Sequence, residues 1–222
     1  MRLVLIGSAF AALLLTGVAQ AAEPAAAIAL PAAKVDGKVS VEKALKERRS
    51  LRRPSPAALS LAEIAQLAWS AQGVTDEKGH RTAPSAMATY PLELYVLAGS
   101  VAGLAPGLYR YRPEKHDLVL VAAGDKRAEL VEKAIGQDWI LKAPAVFVIT
   151  GFAERMEAKI KERSSSFIWV EAGLAAQSFF LEATALGMGS TYVGGFKPDA
   201  TRSVLGLAAG EEPLAVLPVG KK

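Results

Sequence analysis

Between Ala44 and Pro54 the chain reads ALKERRSLRRP, which puts Arg48, Arg49, Arg52 and Arg53 within six residues of one another. A guanidinium is a planar fork of N–H donors that matches a phosphate bidentately, and the Ser50 hydroxyl can add another hydrogen bond. Arg48 with Arg52, and Arg49 with Arg53, lie one turn apart if the helix that leads into them persists. The chemistry implied is anion binding. A solvated basic helix end, favoured by the helix dipole, is the other reading of the same residues.

Few other chemistries remain open. The 222 residues contain no cysteine, which removes thiol nucleophiles, disulfides and thiolate metal sites. His80 and His116 are the only histidines. Both sit beside charged or turn residues and are expected on the surface. The net charge of +4 is mixed along the chain, and no aromatic interleaves the arginines, so a nucleic-acid stripe is not indicated. The chain has neither GxxxxGK[ST] nor GxSxG. In GMGSTYVGG, Tyr192 occupies the third glycine position of a dinucleotide fingerprint, and the strand follows the glycines instead of preceding them.

These residues must be carried by a scaffold. MRLVLIGSAFAALLLTGVAQA has Arg2, an apolar run to Val18 and small residues at Ala19 and Ala21, the pattern of a cleaved secretory leader over 1–21. The mature protein is therefore expected to be periplasmic or secreted. Residues 22–39 are rich in Ala and Pro and read as an extended arm. One domain is expected over 40–222. Ser40 caps a helix ending before Pro54, and Ser60 with Glu63 forms a capping box for a second helix that Gly73 ends. LELYVLAG, GLYRYRP and DLVLVAAG read as strands, followed by a helix over 125–135. APAVFVITG is apolar throughout, hence a strand covered on both faces. A charged helix over 153–163 precedes a long one starting at Ser164–Ser166 and ending at Gly187. That long helix is apolar around most of its circumference, with Ala172, Gly173, Ala175 and Ala176 permitting close approach. Strands STYVGGF and PLAVLPVG close the chain. The order is that of an α+β protein with helices around one central mixed or antiparallel sheet. Trp69 and Met87 read as packing residues.

Taken together, ERRSLRRP, LAWSAQGVT, GHRTAPSAMATYPLELYVL, PGLYRYRP, APAVFVIT, EAGLAAQSFFLEATALGMGSTYVGGF and EEPLAVLPVG resemble the nitroreductase-like flavoproteins in order and spacing. Within them, the series looks most like the branch related to thiazole- and oxazole-forming dehydrogenases, the SagB/ThcOx type. The resemblance spans 44–220. It implies a nitroreductase-like fold and a homodimer with FMN at the interface, and hydride transfer through flavin N5 to or from a small organic substrate. It places the phosphate and pyrimidine edge of FMN at Arg48, Arg49, Ser50 and Arg52. Pro84, Ser85 and Ala86 would line the ring and ribityl chain, and the backbone of Gly194 and Gly195 would approach N5. Lys221 would reach the phosphate.

The chain also departs from the branch pattern. Where that branch carries a Lys-Tyr pair and then an arginine- and tyrosine-rich stretch, this chain reads KIKERSSSF. Lys159 is kept as the general acid/base candidate, but Ile160 replaces the phenol. Peptide azoline oxidation is therefore disfavoured. Met87 stands where glycine is common, and Gly194 where an acidic residue often occurs. A flavin-storage protein on the same fold and an azoline-peptide dehydrogenase are the rival functions, and an anion-binding module using the arginines alone is a third.

Overall fold

The computed structural model describes residues 27–222, so the leader expected at 1–21 lies outside the described residues. The strands are β1 (Ala27–Ala29), β2 (Leu59–Ser60), β3 (Leu92–Ala98), β4 (Val101–Ala102), β5 (Gly107–Arg112), β6 (Asp117–Ala123), β7 (Ala145–Phe152), β8 (Met188–Ser190) and β9 (Glu211–Lys221). The helices are α1 (Val41–Glu47), α2 (Leu61–Gln72), α3 (Arg127–Leu130), α4 (Glu154–Ile160), α5 (Ser164–Ala185) and α6 (Pro198–Leu205).

Seven strands form one sheet in the order β1-β6-β5-β3-β7-β9-β8, and every pairing within it is antiparallel. Helices flank it, as the α+β reading expects. The apolar run at β7 is explained by burial on both faces. Ala145, Phe147 and Ile149 point into one core shared with α2 and α5, while Val146 and Val148 point into a second core shared with α3 and α6. Phe147 meets Phe179 of α5 edge-on, with ring centroids 4.9 Å apart. The capping box at α2 forms as its sequence dictates: the Ser60 hydroxyl accepts from Glu63 N, and the Glu63 carboxylate accepts from Ser60 N.

Several local expectations are corrected. α1 stops at Glu47, with Arg48 as its C-cap, so the arginines follow the helix instead of riding on it. Arg48 cannot share a helical face with Arg52, nor Arg49 with Arg53. The segment 125–135 holds one α-turn and then a π-turn over Val131–Ile135 that Gly136 ends at φ 70°. The charged helix ends as α at Ile160 and continues as a short 3₁₀ turn over Lys161–Arg163. The strand expected from Ser190 to Val193 is displaced: β8 ends at Ser190, and Val193 makes only an isolated bridge to Val216. His80 is exposed and bonded to Asp76, as a surface residue should be. His116 is not a plain surface residue. It is half-buried between two partners, with Nε2 2.8 Å from Pro31 O and Nδ1 2.9 Å from the Tyr111 hydroxyl. The carbonyl can only accept, so Nε2 carries a proton. This clip holds the arm, whose described part is extended. β1 joins the sheet edge beside β6, and Gln66 bonds both N and O of Lys34.

Candidate functional site

The arginine segment lies against the far edge of the sheet. Leu51 N donates to Ser190 O (3.1 Å), Thr191 Oγ1 donates to Leu51 O (2.8 Å), and Ser50 makes a parallel bridge with Ser190. Ser55 N donates to Lys221 O, so the segment also follows the end of β9. Two glycines permit this approach. A Cβ at Gly189 would stand 2.8 Å from Leu51 Cβ, and one at Gly220 would stand 2.8 Å from Pro54 Cβ. Gly189 and Gly220 are therefore explained by close contact with the arginine segment.

Arg48, Ser50, Arg52 and Lys221 are thus brought to one edge. Arg49 is turned back onto its own chain, donating to Lys46 O and Arg48 O. No carboxylate pairs with Arg48, Arg49, Arg52 or Arg53 among the described residues. Lys221 lies 3.5 Å from Glu63. At the same edge the buried Ser190 hydroxyl has no hydrogen-bond partner. Guanidinium groups with no internal counter-ion, half-buried at Arg48 and exposed at Arg52, fit a dianionic phosphate. Gly194 and Gly195 follow on the same side of the fold, exposed, just past the Val193–Val216 bridge.

The remaining candidates assemble elsewhere. Pro84, Ser85 and Ala86 open a loop in which Met87, Ala88 and Tyr90 hold φ of 54°, 51° and 44°. Left-handed backbone at three non-glycine residues is strained. Side chains hold it. The Ser85 hydroxyl accepts from Tyr90 N (2.9 Å), Lys159 Nζ donates to Met87 O (2.9 Å), and Glu171 Oε1 accepts from Ala86 N (2.7 Å). Glu171 is a residue that motif reading missed. It is only 4% exposed. Burial pushes its carboxyl above the usual range, and the Ala86 N–H and Ser85 hydroxyl pull it part of the way back. Its signal in the sequence was a lone acid inside FIWVEAGLAAQSFF, where an unpartnered charge has no reason to stand.

The two groups occupy different stretches of α5. The loop is anchored at Glu171, whereas α1, which delivers the arginines, packs Ala44 near Ser178, Leu181 and Glu182. From Glu171 to Glu182 the helix rises about 16 Å. No hydrogen bond or ion pair joins the groups among the described residues. Around and just beyond Glu171, α5 exposes Trp169 (48%), Val170 (58%) and Leu174 (41%). Gly173 stands in the same stripe with open space around it, so its small size serves no contact inside this chain.

Comparison with known proteins gives a consistent result. The family model described as the nitroreductase family matches residues 45–221. A provisionally named nitroreductase of Methanocaldococcus jannaschii is 39% identical over 184 residues, which cover 83% of this chain and 92% of that protein. The crystal structure of a provisionally named nitroreductase from Ralstonia eutropha superposes with a TM-score of 0.77 at 28% identity, covering 89% of this chain and 92% of the other. The trifolitoxin operon protein TfxC of Rhizobium leguminosarum is 25% identical over 156 residues, 63% of this chain and 44% of TfxC. The α+β fold with its antiparallel sheet is that of the nitroreductases. Flavin use is typical of such proteins.

Proposed function

Because this chain belongs to the nitroreductase family, we propose that it is an exported, FMN-dependent oxidoreductase acting as a homodimer on a small organic molecule. One observation carries the reading: the residues that the family resemblance assigns to one flavin site form two groups separated along α5. A second copy resolves this. A two-fold axis over the exposed stripe of α5 sets the arginine end of one chain beside the loop end of the other, and buries Trp169, Val170 and Leu174.

FMN, when bound, accepts and releases a hydride and supplies the redox chemistry. The chain holds and orients. Arg48 and Arg52 meet the phosphate without breaking an internal ion pair, and Ser50 adds a hydroxyl donor. Lys221 reaches the same anion by turning from Glu63, a half-exposed contact that costs little to give up. Gly194 and Gly195 offer backbone N–H groups unobstructed by side chains of their own. Pro84, Ser85 and Ala86 come from the partner copy. Lys159 keeps two N–H groups beyond the one on Met87 O, so it can hold the loop and still donate a proton to substrate.

The similarity to TfxC supports placement near the SagB/ThcOx branch. Ile160 argues against peptide azoline oxidation, because its side chain packs on the core and leaves no phenol beside Lys159. Protein recovered from its native compartment tests the proposal. The expected result is a yellow dimer, by absorption spectrum and light scattering, with one flavin per chain. Bleaching by a reductant and recovery on adding an acceptor separates turnover from storage. A stable monomer that retains flavin refutes the shared site.

A further inference from the structure

A second cluster of cations lies at the end of the sheet opposite the arginine segment. Register between β3 and β5 stops at Leu94–Tyr111, although β3 continues back to Leu92 along β7. Pro113 follows directly and has no N–H to extend the ladder. The strands part there and leave a cavity of ≈ 280 Å³. Five cations line it, Arg81, Arg110, Arg112, Lys115 and Arg155, where the buried Leu92, Leu94 and Tyr111 come closest to the surface.

Three of these cations are paired. Arg155 meets Glu93 (2.7 Å), Arg112 meets Asp117, and Arg81 meets Glu114 (2.7 Å). Arg110 and Lys115 have no carboxylate partner among the described residues. Two positive charges are therefore left over in the cavity lining. Arg81 is the best organised of the group, with a side chain 10% exposed, Nη1 on Gln72 Oε1 (3.0 Å) and its guanidinium 4.7 Å from the Tyr90 ring centre. Its acid partner, Glu114, is 66% exposed and free to swing out. A buried arginine fixed on two sides, with a replaceable counter-ion on the third, is preorganised for an incoming anion.

We propose that this cavity binds a small organic dianion, its charged groups on Arg81, Arg110 and Lys115. A dicarboxylate and a phosphate monoester share that chemistry. The site stands apart from the flavin reading, although Tyr90 connects an occupant to the base of the strained loop.

The test is isothermal titration of the purified protein with phthalate and with phenyl phosphate, using benzyl alcohol as a neutral control. Three proteins are compared: wild type, Arg110→Ala/Lys115→Ala, and Arg48→Ala/Arg52→Ala. Arg110 and Lys115 are both exposed, and circular dichroism checks that their variant folds. Wild type is expected to bind at least one dianion and not the alcohol, and the probe that binds names the head group. Affinity should fall at least tenfold in Arg110→Ala/Lys115→Ala, and stay within twofold in Arg48→Ala/Arg52→Ala. Absence of heat with both dianions at millimolar concentration overturns the proposal. So does binding that survives loss of Arg110 and Lys115, or that disappears with Arg48 and Arg52.

Discussion

Removing the Glu171 carboxylate should release the loop over 84–90 while the domain stays folded. A left-handed residue other than glycine costs about 1–2 kcal/mol, so Met87, Ala88 and Tyr90 together store about 3–6 kcal/mol. Opposing this are the Glu171–Ala86 bond, worth about 1.5–3 kcal/mol because its acceptor is charged, and weaker neutral bonds from Tyr90 N to Ser85 and from Thr89 Oγ1 to Ala86 O. Lys159 adds an exposed contact to Met87 O. Strain and anchors are of the same size, and Glu171 is the strongest anchor. In Glu171→Ala, amides of 86–90 should exchange with solvent at least tenfold faster by hydrogen-exchange mass spectrometry. Urea unfolding should lose about 1.5–3 kcal/mol, limited by the strain released when the loop opens. The pH dependence has a definite sign. The folded carboxyl titrates above its ordinary value of 4.5, so the native state binds more protons than the unfolded state in that interval. This contribution to stability is complete below the unfolded value and is lost as pH rises through the folded one. Glu171→Gln keeps an acceptor oxygen for Ala86 N. It should match wild type in acid and be the more stable protein at neutral pH. Glu182, which burial also raises, leaves a residual slope of the same sign in the variant. Unchanged exchange at 86–90 in Glu171→Ala refutes the anchoring argument, and so does uniform acceleration across the whole chain. A Glu171→Gln variant less stable than wild type at neutral pH refutes the electrostatic one.

Three further outcomes are expected. Gly220→Ala should lower the urea midpoint by about 1–3 kcal/mol in free energy, because its Cβ meets two proline rings at 2.8 and 3.0 Å; it should also weaken FMN binding by pushing the arginine segment off β9, read by flavin titration. Arg48→Ala and Arg52→Ala should each weaken FMN at least tenfold, since each removes a charge-assisted bond worth about 1.5–3 kcal/mol; unchanged affinity in both removes the assignment. Lys159→Ala should slow the half-reaction with the true acceptor in stopped-flow flavin kinetics while flavin stays bound, and wild type should turn over quinone or nitroaromatic acceptors faster than a peptide thiazoline.

Periodicity and capping made the large elements legible without coordinates. The capping box of α2, the apolar run of β7 and the small-residue pattern of α5 each carry their structure locally, because backbone hydrogen bonding and burial period act over a few residues. The arginine cluster was legible as a candidate anion site for the same reason: its chemistry is concentrated in one stretch. Its conformation was not. Only contact with Ser190, Gly189 and Gly220 fixes that segment as an extended strand partner, and those residues are more than a hundred positions away. His116 looks like a turn residue until the arm folds over it. Ala86 and Glu171 lie 85 positions apart, so their bond, and the strained loop it holds, exists only once α5 packs beside that loop. The sequence by itself determined which elements form and which residues carry charge. The tertiary structure decided which of those residues meet, because long-range contact depends on packing geometry that no local pattern records. Sorting the candidate residues into two groups along α5 was such a decision.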